Sequence, residues 1–79
     1  METAKLQNSI RRLRFEHGEM TQQQLADLAR VTRQTIAALE ASRYNPSLLL
    51  AMRIAKAFGV PVEDVFQYEE ERKKFSFRR

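Results

Sequence analysis

Residues 21–40 read TQQQLADLARVTRQTIAALE, and their pattern decides the fold. Thr21 is placed to cap a helix, and Gln24 three residues on completes a capping box. Leu25, Ala26, Leu28 and Ala29 then supply one apolar face at helical spacing. Arg30-Val31 interrupts the pattern as a turn, and Thr32 offers a second N-cap hydroxyl to the orphan backbone N–H groups that follow it. From Arg33 a second helix has Ile36 and Leu39 on its inner side, while Arg33, Gln34, Ala37, Ala38 and Ala41 stand on the other. A helix with that outer face, long and polar at its start and bare methyl further along, can lie close against another surface.

The same residues carry a resemblance. Thr21-Gln22, Leu25-Ala26, Val31-Thr32-Arg33-Gln34-Thr35-Ile36, Leu39-Glu40 and, beyond them, Tyr44-Asn45-Pro46-Ser47 resemble the helix-turn-helix of the lambda-repressor/Cro (XRE) family, in particular its short, single-domain, dimeric regulators. The likeness spans about residues 9 to 66. It implies an all-α, five-helix DNA-binding domain. Two departures stand out. Residues 18–21 carry one extra residue, with Met20 still where an apolar side chain is wanted. Arg30 replaces the glycine usual at a turn position of positive φ, at a cost of about 1 kcal/mol.

Working outward, Asn8 or Ser9 is placed to cap a first helix reaching about His17, with Ile10 and Leu13 inward and Phe15 or His17 closing its far end. Gly18 is the expected left-handed terminator. His17 reads as structural, with no partner for a metal or a catalytic dyad. Pro46 keeps Asn45 out of the helical region. Ser47 then caps a fourth helix, LLLAMRIAKAF, whose apolar positions Leu48, Leu49, Met52, Ile54, Ala55 and Phe58 suggest burial on more than one side. Gly59 ends it. Residues 62–66 form a last short helix, with Glu63 and Asp64 at its positive end as helix-start acids rather than a catalytic pair.

After Phe66 the apolar residues alternate. Phe66 and Tyr68, then Phe75 and Phe77, follow a period of two around Glu69-Glu70-Glu71-Arg72-Lys73-Lys74. A hairpin, a strand pairing with Lys5-Leu6-Gln7, a frayed tail and a further helical turn all fit, with β-structure favoured. The organisation is therefore a DNA-binding domain over residues 1–66 and a C-terminal extension over 67–79 that contributes a small antiparallel element or a dimer contact.

Composition narrows the function. The 79 residues suit one domain with a thin core, net charge +4 suits a polyanionic partner, and zero cysteines remove disulfides and thiolate metal sites. The opening residues have no apolar signal segment, and no run approaches a membrane span, so a cytoplasmic protein is expected. No nucleophile–base pair or metal set appears, so neither an enzyme nor a cofactor is expected. The 79 residues read as a single domain, so no small-molecule ligand is expected.

The residues themselves point to duplex DNA, because the major groove admits one helix whose first residues reach base edges. Arg33 can offer two donors to guanine and Gln34 can pair with adenine. Thr32, Thr35, Ala37 and Ala38 are candidates for methyl or phosphate contacts. By resemblance, the family's base-reading positions fall on Thr32, Arg33, Gln34 and Ala38. Gln22 and Gln23 open a helix N-terminus suited to phosphate, a role the family also gives the residue matching Gln22, and Thr35, Arg43, Tyr44 and Asn45 complete the expected phosphate set. Resemblance also pairs Glu40 with Arg14. One such motif reads few base pairs, so a homodimer on a palindrome is expected, acting as a repressor and touching through Leu6, Val65, Phe66 and Tyr68. The rival reading is an antitoxin-like module that binds DNA and takes a protein partner through residues 67–79. RNA and membrane surfaces are disfavoured for want of an exposed aromatic cluster or a basic amphipathic helix.

Overall fold

The computed structural model describes residues 4–70. The elements run β1 (Ala4–Asn8), α1 (Ile10–Glu16), α2 (Gln22–Ala29), α3 (Arg33–Glu40), α4 (Leu48–Phe58), α5 (Val62–Val65) and β2 (Phe66–Glu70). Five helices enclose the core, and β1 and β2 form a two-stranded antiparallel sheet. The register sets Leu6 opposite Tyr68, Gln7 opposite Gln67 and Asn8 opposite Phe66. The strand pairing with Lys5-Leu6-Gln7 is thus the alternative the fold adopts. Phe75 and Phe77 lie outside the described residues.

The N-caps form as their sequences require. Thr21 Oγ1 accepts from the Gln24 amide at 3.0 Å while Gln24 Oε1 accepts from the Thr21 amide at 2.9 Å. Thr32 Oγ1 accepts from the Thr35 amide, and Ser47 Oγ from the Leu50 amide. At α1 the capping residue itself, Ser9, makes no side-chain cap bond. Asn8 serves instead: its Oδ1 accepts from the Ile10 amide, and its Nδ2 donates to the Leu39 carbonyl at 2.8 Å, tying the start of α1 to α3.

Helices α2, α3 and α4 end alike. Paired backbone bonds reach back to Ala26 and Asp27, to Ala38 and Leu39, and to Ala55 and Lys56. Each ending needs one residue at positive φ, supplied by Arg30 (65°), Ser42 (57°) and Gly59 (70°). Gly18 takes φ 76° after His17 as expected, and Glu19 follows at 56°.

The core is contributed by every helix. Ile10, Leu25, Ile36, Ile54 and Val65 are wholly buried, each such side chain contributing roughly 1.5–3 kcal/mol over its exposed state. Several expectations change here. In α4 the buried residues are Leu50, Ala51, Ile54, Ala55 and Phe58, whereas Leu48, Leu49 and Met52 face outward. A single flank of α4 packs against the domain, so only one stripe is covered. Leu28 is likewise exposed on α2. Phe15 points out, and His17 closes the far end of α1: its ring lies 5.1 Å from that of Phe58, and its two nitrogens sit 2.8 Å from the Leu13 carbonyl oxygen and 3.0 Å from that of Phe58. The last helix stops at Val65, because Phe66 turns to extended φ/ψ and enters β2.

Candidate nucleic-acid interface

α3 is held by its inner stripe, Ile36 and Leu39, which are buried between α2 and the rest of the core. At 100° per residue that stripe directs Arg33, Gln34, Ala37 and Ala38 outward. Thr32, Arg33 and Gln34 are exposed, while Thr35, Ala37 and Ala38 are half-buried along the flanks. The outer surface therefore begins with a guanidinium and an amide and continues as methyl groups.

Arg33 is the outermost member of a chain of polar contacts that runs back into the domain. Its Nη1 donates to Gln22 Oε1 at 3.3 Å. Gln22 Nε2 donates in turn to Glu40 Oε1 at 3.2 Å. Glu40 is gripped by Arg14, whose Nε donates to Oε2 at 2.6 Å and whose Nη2 donates to Oε1 at 3.1 Å. Arg14 Nη1 also donates to the Met20 carbonyl at 2.8 Å. The ion-paired side chains are only 15% and 11% exposed, so solvent screens them little. α1, α2 and α3 thereby share one hydrogen-bonded cluster that ends at a residue on the outer face.

Around this helix the remaining polar groups divide. The backbone N–H groups of Gln22 and Gln23 lie in the first turn of α2, where a helix has no internal acceptor for them. The Gln23 side chain is turned along its own helix, its Nε2 donating to Asp27 Oδ1 at 2.8 Å. The Thr35 hydroxyl lies 3.0 Å from that of Thr32, so the two hydroxyls occupy each other beside the cap. Arg43, Tyr44 and Asn45 form an exposed loop beyond α3. Its start is fixed by the Arg43 amide, which donates to the Ala38 carbonyl at 2.9 Å in the closure that Ser42 makes. Nothing in the sequence marks Ser42 for this conformation, since serine is not a usual left-handed residue.

The residues expected at a dimer surface are separated by the fold. Val65 is wholly buried in the core of its own domain, where its carbonyl also accepts from the Ser9 amide at 2.8 Å, so its side chain is not on the surface. Phe66 is half-buried and packs against the same core. Leu6 is half-buried opposite Tyr68, which stands at the middle of the ladder and is exposed. Phe66, beside α5, packs against the core, and Tyr68, two residues further along β2, does not.

Among the described residues no helix is long and apolar enough to cross a membrane. Residues 10–65 match the helix-turn-helix family. The chain is 48% identical over 66 residues to the uncharacterized HTH-type transcriptional regulator YgzD of Bacillus subtilis, a match covering 84% of this chain and 98% of that one. A regulator of the same description from Methanocaldococcus jannaschii is 47% identical over 66 residues, with the same coverage of 84% and 98%. Another, from Methanothermobacter thermautotrophicus, is 54% identical over 63 residues, covering 78% of this chain and 90% of its own length. With that breadth of likeness, and with α2 and α3 set as described, the chain belongs to the XRE-type helix-turn-helix family of DNA-binding transcriptional regulators.

Proposed function

We propose that this regulator is a cytoplasmic homodimer that represses transcription by occupying a palindromic operator. The observation that carries the reading is the outer face of α3, with Arg33 and Gln34 exposed at its N-terminal end and alanines behind them. Arg33 donates in bidentate fashion to guanine O6 and N7, and Gln34 pairs with adenine N6 and N7. Ala38 packs on a thymine methyl, and Thr32 stands at the edge of the same base set. Ala38 has no polar atom to offer, so discrimination is concentrated in Arg33 and Gln34.

Phosphates frame those contacts. Gln22 and Gln23 present their amides at the positive end of α2 on one side. Arg43, Tyr44 and Asn45 present a charge, a phenol and an amide on the other, with Thr35 between. Two such half-sites one helical turn apart, about 34 Å, follow from a two-fold dimer. A dimer over that span obstructs whatever else needs the same duplex, which is the basis of the repressor assignment.

Selection of bound sites from random duplex DNA tests this directly. The expected product is an inverted repeat with a conserved guanine and adenine in each half, and loss of the guanine preference in the Arg33→Ala chain. A single, non-repeated half-site would refute the dimeric operator. A reporter gene whose output rises when the protein is supplied would refute repression.

A further inference from the structure

Asn8 uses both ends of its side-chain amide. Its Oδ1 accepts from the Ile10 amide at 3.2 Å, the bond that caps α1, and its Nδ2 donates to the Leu39 carbonyl at 2.8 Å. An N–H on one side and a carbonyl oxygen on the other leave a single orientation for the group. A cap needs only the acceptor, which serine, threonine or aspartate would supply as well. The donor half of Asn8 serves α3 instead.

Leu39 is where α3 closes. Its side chain belongs to the buried inner stripe. Its carbonyl accepts from the Ser42 amide at 2.9 Å, next to the bond of 2.9 Å from the Arg43 amide to the Ala38 carbonyl. A carbonyl oxygen has two lone pairs, so Ser42 engages one and Asn8 the other. Ser42 sits at φ 57°, which costs a residue with a Cβ, so the closure depends on these bonds. Ala38 on the outer face and Arg43 at the start of the exposed loop both hang on it. Asn8 is itself anchored from the sheet and α5. It pairs with Phe66 across the ladder, and the next residue, Ser9, donates its amide to the Val65 carbonyl at 2.8 Å.

We propose that Asn8 is a positioning residue for base reading: it ties the C-terminal end of α3 to the sheet, and so sets how Ala38, Gln34 and Arg33 meet the base edges. Glu40, bonded to Arg14 and Gln22, restrains the adjoining residue from α1 and α2, and Asn8 restrains the same end of α3 from β1. Hydrogen bonds to a base edge tolerate a spread of only about 0.5 Å in length. A small shift of the helix therefore lowers discrimination before it lowers attraction to phosphate. The inference rests on the reading of α3 as the base-contacting helix.

Asn8→Asp removes the donor and keeps the cap, and its carboxylate suits the positive start of α1. Asn8→Ser keeps a cap oxygen on a shorter, uncharged side chain. Each full-length variant is titrated with the duplex that the unmodified protein selects from random DNA, with single-base variants of that duplex, and with an unrelated duplex, after far-UV circular dichroism has shown it folded. The ratio of affinities for the selected duplex and its variants should fall at least about threefold. Binding to the unrelated duplex should stay within about twofold, because its phosphate attraction is independent of sequence. The Ser42 and Arg43 amides should exchange faster with solvent. Ile54→Val, which lowers stability from within α4, should leave the ratio unchanged. An unchanged ratio in a folded Asn8 variant would overturn the inference and leave α3 as the reading helix. An equal fall in Ile54→Val would also overturn it, since any loss of stability would then suffice. Unfolding of both Asn8 variants would make Asn8 a residue of folding and not of reading. An unmodified protein without base preference would overturn the reading of α3 itself.

Discussion

Arg14 and Glu40 are joined at two points, Nε to Oε2 at 2.6 Å and Nη2 to Oε1 at 3.1 Å, across helices 26 residues apart in sequence. Because both groups are largely withdrawn from water, the pair contributes little over an apolar contact, yet either partner alone is costly. Its value lies in geometry: it fixes the face of α3 relative to α1, and through Gln22 it reaches Arg33.

Arg14→Met should therefore lower unfolding stability by about 1–4 kcal/mol, since among the described residues Glu40 keeps only Gln22 as a polar partner. Adding Glu40→Leu should recover much of the loss. Urea denaturation of the single and double variants is the measurement, and equal midpoints would mean the pair is open to solvent.

Gln22→Ala removes the link between Glu40 and Arg33 without touching the core. Stability should change by less than about 1 kcal/mol, as for most surface positions. Preference for the base read by Arg33 should fall, because the guanidinium loses the group that orients it. Equilibrium binding to the selected operator and to its single-base variant at that position separates the effects; an undiminished preference would show that Gln22 does not position Arg33.

Arg43→Ala should weaken binding to all duplexes alike. One fewer phosphate contact should reduce the slope of log K against log salt by about 0.9. Titrations at several salt concentrations read the slope directly, and an unchanged value would remove Arg43 from the phosphate set.

The three left-handed helix endings make a prediction of opposite signs. Arg30→Gly should stabilise the domain by up to about 1 kcal/mol, because glycine holds φ 65° without strain from a Cβ. Gly59→Ala should destabilise it by about 1 kcal/mol through φ alone, since a Cβ there meets nothing within 4 Å. Melting temperatures of both variants check the pair. A stabilising Gly59→Ala would contradict the conformational account.

Much of the fold was legible in residues 21–40, because helix caps and turns are local. The Thr21–Gln24 box, the Thr32 and Ser47 caps, the positive φ of Arg30 and the closure at Gly59 each involve groups within five residues, so the chain alone determines them. The inner positions Ile36 and Leu39 follow from the same local periodicity, and with them the outward course of Arg33 and Gln34. Tertiary structure decided what periodicity leaves open. A helix with apolar residues nearly all round does not announce which flank will be covered, and packing against the α2 and α5 side buries Leu50 and Ala51 while leaving Leu48, Leu49 and Met52 bare. Val65 is apolar at the end of a short helix and reads equally as surface or core; in the fold it joins the core cluster, with its carbonyl accepting from the distant Ser9 amide. The bonds from Asn8 to Leu39 and from Gln22 to Glu40 likewise exist only once distant helices meet, because a side-chain contact between remote residues has no local signature.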